Sequence, residues 1–210
     1  MESGQASYSA EVDVGNIYPH EPGADACWAS GVSYITEPMS EDMELAGYMK
    51  LGMWVSSTSS DMDIFASVRV LDENNREVNF SGIQEAENRE NDSSETHDVY
   101  PVGIGWLKVS HRKLDVSETT DYLPVHTHAE SDYAPLKNSE VVPVEVALWP
   151  NTALIKKGHR VRLDIQPHDG CGHGSRHSYD PSYHTDAENT VYTGSARLSY
   201  LQLPMIPKGK

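Results

Sequence analysis

Apolar and polar residues alternate along several separate runs of this chain, and no long helical period occurs between them. In GYMKLGMWVSS, Met49, Leu51, Met53 and Val55 share one face, while Tyr48, Lys50, Trp54 and Ser56 share the other. A period of two predicts a half-buried strand. DIFASVRVLD repeats the pattern with Ile64, Ala66, Val68 and Val70 on one face. In VEVALWPNTALIKKGHRVRLDIQPHDG, Val144, Val146 and Leu148 face one way before a turn, and Val161, Leu163 and Ile165 do so after it. SYLQLPMIP closes the chain with Leu201, Leu203 and Met205 in alternation.

The breaks between these runs have their own chemistry. DENNRE, Asp72 to Glu77, predicts a turn through its asparagines and charges, and Lys156 to His159 does so through Gly158. Gln84 to Asp98 is polar and predicts a long surface loop, with a short helix around Glu85 to Arg89 left unsupported by any apolar face. The first residues, up to Gly31, are rich in Gly and Pro without a period. They predict an irregular lead-in lying over the sheets, anchored by Trp28. Strands separated by turn signals argue an all-β sandwich or jelly roll.

Composition narrows the partners. The 210 residues carry 16 basic and 32 acidic side chains, a formal charge of -16. Such a surface repels nucleic-acid phosphates and anionic membranes, so neither is expected as a partner. No apolar run approaches 18 residues, and the first twelve show no signal-peptide core. The two cysteines, Cys27 and Cys171, lack metal-ligand spacing and favour free thiols in a reducing, cytoplasmic setting.

Candidate chemistry was weighed motif by motif. Nucleophilic hydrolysis on an α/β scaffold needs a Ser on a strand-to-helix elbow, G-x-S-x-G. GVSYI around Ser33 and GHGSRH around Ser175 both lack the second glycine and a following helix. No catalytic residue is therefore assigned. His168, His173, His177 and His184 crowd one stretch with Asp169, Asp180 and Asp186. Imidazole suits zinc, nickel or copper. His173 and His177 are the best-spaced pair, but Gly172, Gly174 and Pro181 oppose the helix that would align them. A loop satisfied by hydrogen bonds and stacking is the simpler expectation, with no cofactor. Asp61 and Asp63 are too few for a calcium site. Tyr179, Tyr183 and Tyr192 would suit a sugar-binding surface, and LPVHTH places His126 and His128 two apart.

Several of these segments, taken in order, resemble one family. YITEPMSEDMELAGYMKLGMWVSSTSSDMDIFASVRVLDE, through Glu41-Asp42, Gly47, Trp54 to Ser57 and Asp61 to Asp63, is similar to the opening of the C-terminal domain of X-Pro dipeptidyl-peptidase and cocaine-esterase-like (CocE/NonD) hydrolases. GWLKVSHRKLD, EVVPVEVALWPNTALIKKGHRVRLDI and ENTVYTG with the closing strands resemble its later segments. The resemblance runs from Val32 to Pro207, leaving 1–31 as lead-in or linker and 208–210 as a tail. It implies a jelly-roll β-sandwich of the galactose-binding-like type. It also implies an accessory, non-catalytic domain that partners an α/β-hydrolase domain carrying the Ser-His-Asp triad. A stand-alone module for sugar or another small ligand is the alternative, because a fold alone does not establish function.

Two sets of positions follow. Arg112, Arg160, Arg162 and Asp164 are expected to keep the fold, with Arg112 pairing Asp115 or Asp164. The loop from His168 to Asn189 is expected to meet the hydrolase domain or rim its active site, through His168, Asp169, His173, His177, Tyr179, Tyr183 and His184. Homo-oligomers, and metal on His173 and His177, stay open at this point.

Overall fold

The computed structural model describes residues 4–11, 31–78, 80, 101–168, 183–194 and 196–206. Among the described residues ten strands form two antiparallel sheets: β1 (Gly4–Ser9), β2 (Val32–Ile35), β3 (Met43–Ser57), β4 (Asp63–Leu71), β5 (Gly103–Lys108), β6 (Val142–Ile155), β7 (Arg160–Gln166), β8 (Glu188–Thr193), β9 (Tyr200–Gln202) and β10 (Met205–Ile206). Helical structure among the described residues is confined to 3-10 turns, at Val109–His111, Glu130–Asp132 and Tyr183. This is the all-β sandwich the alternation predicts.

β3 is the spine of the first sheet. It pairs with β6 along nearly its whole length, and with β10, β9 and β8 in succession on its other side, with β1 beyond β8. The second sheet runs β2-β7-β4-β5. The predicted inward faces meet between them: Met49, Leu51, Met53 and Val55 of β3, Val144, Val146 and Leu148 of β6, Ile64, Ala66, Val68 and Val70 of β4, and Val161, Leu163 and Ile165 of β7 are all buried. Truncation of Leu163 to alanine is expected to cost about 2–3 kcal/mol in urea unfolding. This is the low end for a core leucine, because the side chain borders an opening into which its neighbours can relax.

Three elements differ from the pattern. Gly4–Ser9, expected within the irregular lead-in, form β1 in register with β8, Tyr8 opposite Asn189. Its alternation is muted because only the small Ala6, the ring of Tyr8 and then Ala10 turn inward, so the strand depends on its partner's ladder. Within β6 the inward parity changes. Leu148 is buried, and the next buried positions are Ala153 and Ile155. The register against β3 slips by one between Gly47 and Met49, which gives Trp149-Pro150 of β6 the extra residue. Proline has no N–H to donate and is at home in such a bulge. At the C-terminus, Pro204 interrupts the expected single strand, and Met205 is exposed while Leu201 and Leu203 pack on the core.

The turns follow their residues. Asp72 accepts from the backbone N–H groups of Asn74 and Arg76, and Asn75 takes the left-handed conformation that asparagine tolerates. Gly158 makes the β6–β7 turn at φ 85°. Trp28, both cysteines and the 84–98 segment with its helix lie outside the described residues.

Candidate site at the end of the sandwich

Period two fixes the first feature of the site. Asp61 and Asp63 flank Met62, which enters the core, so the carboxylates stand together at the start of β4. The β4–β5 register sets Asp63 directly opposite Lys108. The lysine Nζ donates to Asp63 at 2.7 Å and lies 3.9 Å from Asp61. An ammonium thus supplies the positive charge that a calcium ion would need to bring. Asp61 accepts from the N–H groups of Met62 and Ser110, both at 2.9 Å, which ties the 3-10 turn after β5 to the start of β4.

The segment before β8 closes this end. His184 is buried; its Nε2 lies 2.9 Å from Asp63 Oδ2 and its Nδ1 2.9 Å from the carbonyl of Ala10. The two ring nitrogens thus tie the segment before β8 to the start of β4 and to the residue after β1. Burial raises the Asp63 carboxyl, but the hydrogen bonds from His184 and Lys108 outweigh it and hold the group below the ordinary carboxylate value. Burial lowers Lys108, and Asp63 more than restores it, so the ammonium is held above its ordinary value. Tyr183 lays its ring under Lys108, with Nζ 4.9 Å from the ring centre.

Rings spread outward from this base. His111 lies 5.6 Å from Tyr133 and 5.9 Å from His128, and His128 lies 5.8 Å from His126. Tyr133 and His128 are exposed, and His111 and Tyr183 half-buried. Burial, then the neighbouring His128, depress His126, which favours its neutral form. Backbone bonds from Leu136 to Ser60 and from Ala134 to Ser110 hold the ring-bearing loop down.

The arrangement does not support acyl transfer. Ser110 is fully buried, and the two nitrogens of His184 lie against the Ala10 carbonyl and the Asp63 carboxylate. Among the described residues no group of three or more His, Cys, Asp or Glu is arranged to hold a metal ion.

The expected site residues fare differently. His168 and His184 are buried. The reason for His184 is electrostatic: an imidazole beside a buried carboxylate is drawn inside. Tyr183 remains partly accessible. Asp169, His173, His177 and Tyr179 lie outside the described residues. Tyr192, considered for sugar stacking, has its hydroxyl 3.0 Å from Ser56 and Arg197 over its ring. Lys108, His111 and Tyr133 were missed. The one available signal was the period-two pairing that sets Asp63 against the end of β5.

The arginines hold the outer face of the second sheet and its margins. Arg162 Nε and Arg69 Nε lie 3.1 and 3.2 Å from the fully buried Asp164, and Glu77 bonds Arg69 and approaches Arg162 at 3.7 Å. Arg160 donates to the carbonyl of Thr36. Arg112 does not pair with Asp115 or Asp164. It donates to the carbonyls of Val109 and Ala134, because the chain leaves β5 through the 3-10 turn and carries the guanidinium toward the loop backbone.

The fold and this end define a β-sandwich of two antiparallel sheets. The model of the X-Pro dipeptidyl-peptidase C-terminal non-catalytic domain matches residues 2–202, and the chain belongs to that family, found in serine-hydrolase-like proteins. Two crystal structures of a CocE/NonD family hydrolase from Staphylococcus aureus superpose with TM-scores of 0.69 and 0.72 at 27% identity, over 98% of this chain and 33% of theirs. An α-amino acid ester hydrolase shares the fold at a TM-score of 0.54 and 15% identity, over 97% of this chain and 32% of that one. Proteins of Mycobacterium bovis and Mycobacterium tuberculosis named as serine esterases, Mb1866c and MT1883, are each 23% identical over 206 residues. This chain spans 28% of their length.

Proposed function

We propose that this chain acts as the accessory domain of a serine hydrolase of the dipeptidyl-peptidase or ester-hydrolase type. In this reading it packs against an α/β-hydrolase domain with the His184 end and helps to wall the active site. The carrying observation is the construction of that end. Asp63, Lys108 and His184 lock three chain segments from within, while Tyr133, Tyr183, His111 and His128 present broad rings with polar tips outward. A rigid base under amphipathic rings is the composition that interfaces favour. Tyr183 and His184 stand at this end, and by sequence alone the proposal extends to His173, His177 and Tyr179 of the same His168–Asn189 stretch.

Two measurements test this. The purified chain should not turn over a p-nitrophenyl ester or an X-Pro anilide; turnover that disappears on Ser33→Ala or Ser110→Ala would overturn the accessory role. In a protein carrying this domain beside its hydrolase domain, Tyr133→Ala combined with Tyr183→Ala should lower kcat/KM by about tenfold or more, or release the domains from one another. An enzyme indifferent to that pair, and to His177→Ala with Tyr179→Ala, would exclude this end as the contact.

A further inference from the structure

The two long sides of the sandwich are closed differently. On one side the edge strands β5 and β6 touch, and at Gly105 the β6 backbone leaves no room for a side chain between them. On the other, the four-residue β2 faces β8 and β9 across an opening. There the sheets enclose a cleft of about 240 Å³, walled by Tyr34, Leu51, Met53, Leu163, Ile165 and Val191. The cleft is independent of the His184 end, since it shares no residue with it.

We propose that this cleft is a binding site for one small apolar ring compound, of about ten non-hydrogen atoms with a polar atom. Native interiors hold few voids larger than a water molecule, so an apolar opening of this size forfeits contacts unless something fills it. It exceeds the roughly 150 Å³ of an engineered apolar cavity that stays dry and takes up benzene. Walls of mostly aliphatic side chains on paired strands, with the rings of Tyr34 and Tyr200, suit a flat hydrocarbon ring better than a polar sugar ring. The polar groups stand at the mouth. Ser199 Oγ is engaged with the carbonyl of Tyr192 and the N–H of Trp54. The Thr36 hydroxyl accepts from Val161 N–H, which leaves its own proton for one acceptor on the ligand. Thr36 therefore offers a donor to a polar substituent on the ring, and the buried Tyr34 hydroxyl, which no protein group meets, is a second such group in the lining.

Indole serves as the probe and glucose as the polar control, read through the methyl resonance of Met53 in 13C-methionine-labelled protein. Indole should shift that resonance saturably, with half-saturation at about 1 mM or below, as expected for nine non-hydrogen atoms of ordinary binding efficiency. Glucose should leave it unmoved. Leu201→Trp fills the cleft from β9 and Thr36→Trp blocks its mouth. Each should weaken indole at least about tenfold, and if one fails to fold the other carries the test. No saturable shift up to about 10 mM, an equal response to glucose, or unchanged indole binding in a folded variant would overturn the proposal. A Met53 shift that follows protein concentration instead of indole would also overturn it, since a second copy would then cover the cleft.

Discussion

Gly105→Val should abolish the cooperative unfolding transition of the domain. A β-carbon at this position would lie 2.1 Å from the carbonyl oxygen of Ala147 and 3.1 Å from the α-carbon of Leu148. Both obstacles are backbone of β6, so no side-chain rotation relieves them. The two sheets would have to part along the side where β5 meets β6, and Val144, Val146, Leu148 and Leu107 would lose their packing nearby. Ordinary overpacking costs about 1–3 kcal/mol. Displacing a strand from a close backbone contact exceeds that and approaches the whole stability of a domain this size. Gly158→Ala is the informative contrast. Its cost is the strain of a positive φ in a turn plus a yielding contact with the Glu73 side chain, about 1–2 kcal/mol, with cooperativity retained. Urea unfolding followed by tryptophan fluorescence and circular dichroism distinguishes the two. A Gly105→Val protein with a normal transition would mean that β5 and β6 do not approach as described.

Asp164→Ala is expected to cost about 3–5 kcal/mol. The substitution removes the buried carboxylate that the Arg69 and Arg162 guanidinium groups share, beside their contacts with Glu77. Removing one member of a buried network strands the other charges, whereas replacing all of them together does not. The combination Arg69→Met, Glu77→Leu, Asp164→Leu, Arg162→Met should therefore cost less than Asp164→Ala alone. The reverse order, measured by denaturant midpoints, would show that the network itself is a net source of stability. The pH dependence carries a further sign. Burial pushes the Asp164 carboxyl up to about 6, against the pull of Arg162 and Arg69. A folded value above the unfolded one means the folded state holds the proton longer. Its contribution to stability is thus fully present below about pH 4 and is lost as pH rises through about 6. Asp164→Asn should remove this part of the pH profile.

Much of the fold was legible in the chain because alternation records which side of a strand is buried. The inward residues of β3, β4, β6 up to Leu148, and β7 all read correctly for that reason, as did the turns at Asn75 and Gly158, where the residue type meets a backbone need. The order of motifs from Val32 onward also pointed to the family. β1 was not legible, since Gly4–Ser9 has little apolar contrast and takes its strand form from the ladder with β8. The parity change at Trp149-Pro150 was equally hidden, because a bulge is set by pairing with β3 and not by either strand alone.

The site divides along the same line. Composition and spacing showed a chain without a nucleophile elbow and a loop crowded with rings, and the alternation of β4 set Asp61 and Asp63 side by side. That His184 turns inward to Asp63 and to the carbonyl of Ala10, residues 121 and 174 positions away in sequence, was decided only by the tertiary structure. So was the burial of Asp164 between two arginines, and so was the apolar cleft between β2 and β7 on one side and β3, β8 and β9 on the other. Local pattern reports a residue's own preference for water. Which carboxylate an imidazole finds, and which side of a sandwich stays open, depend on distances that close only when both sheets are in place.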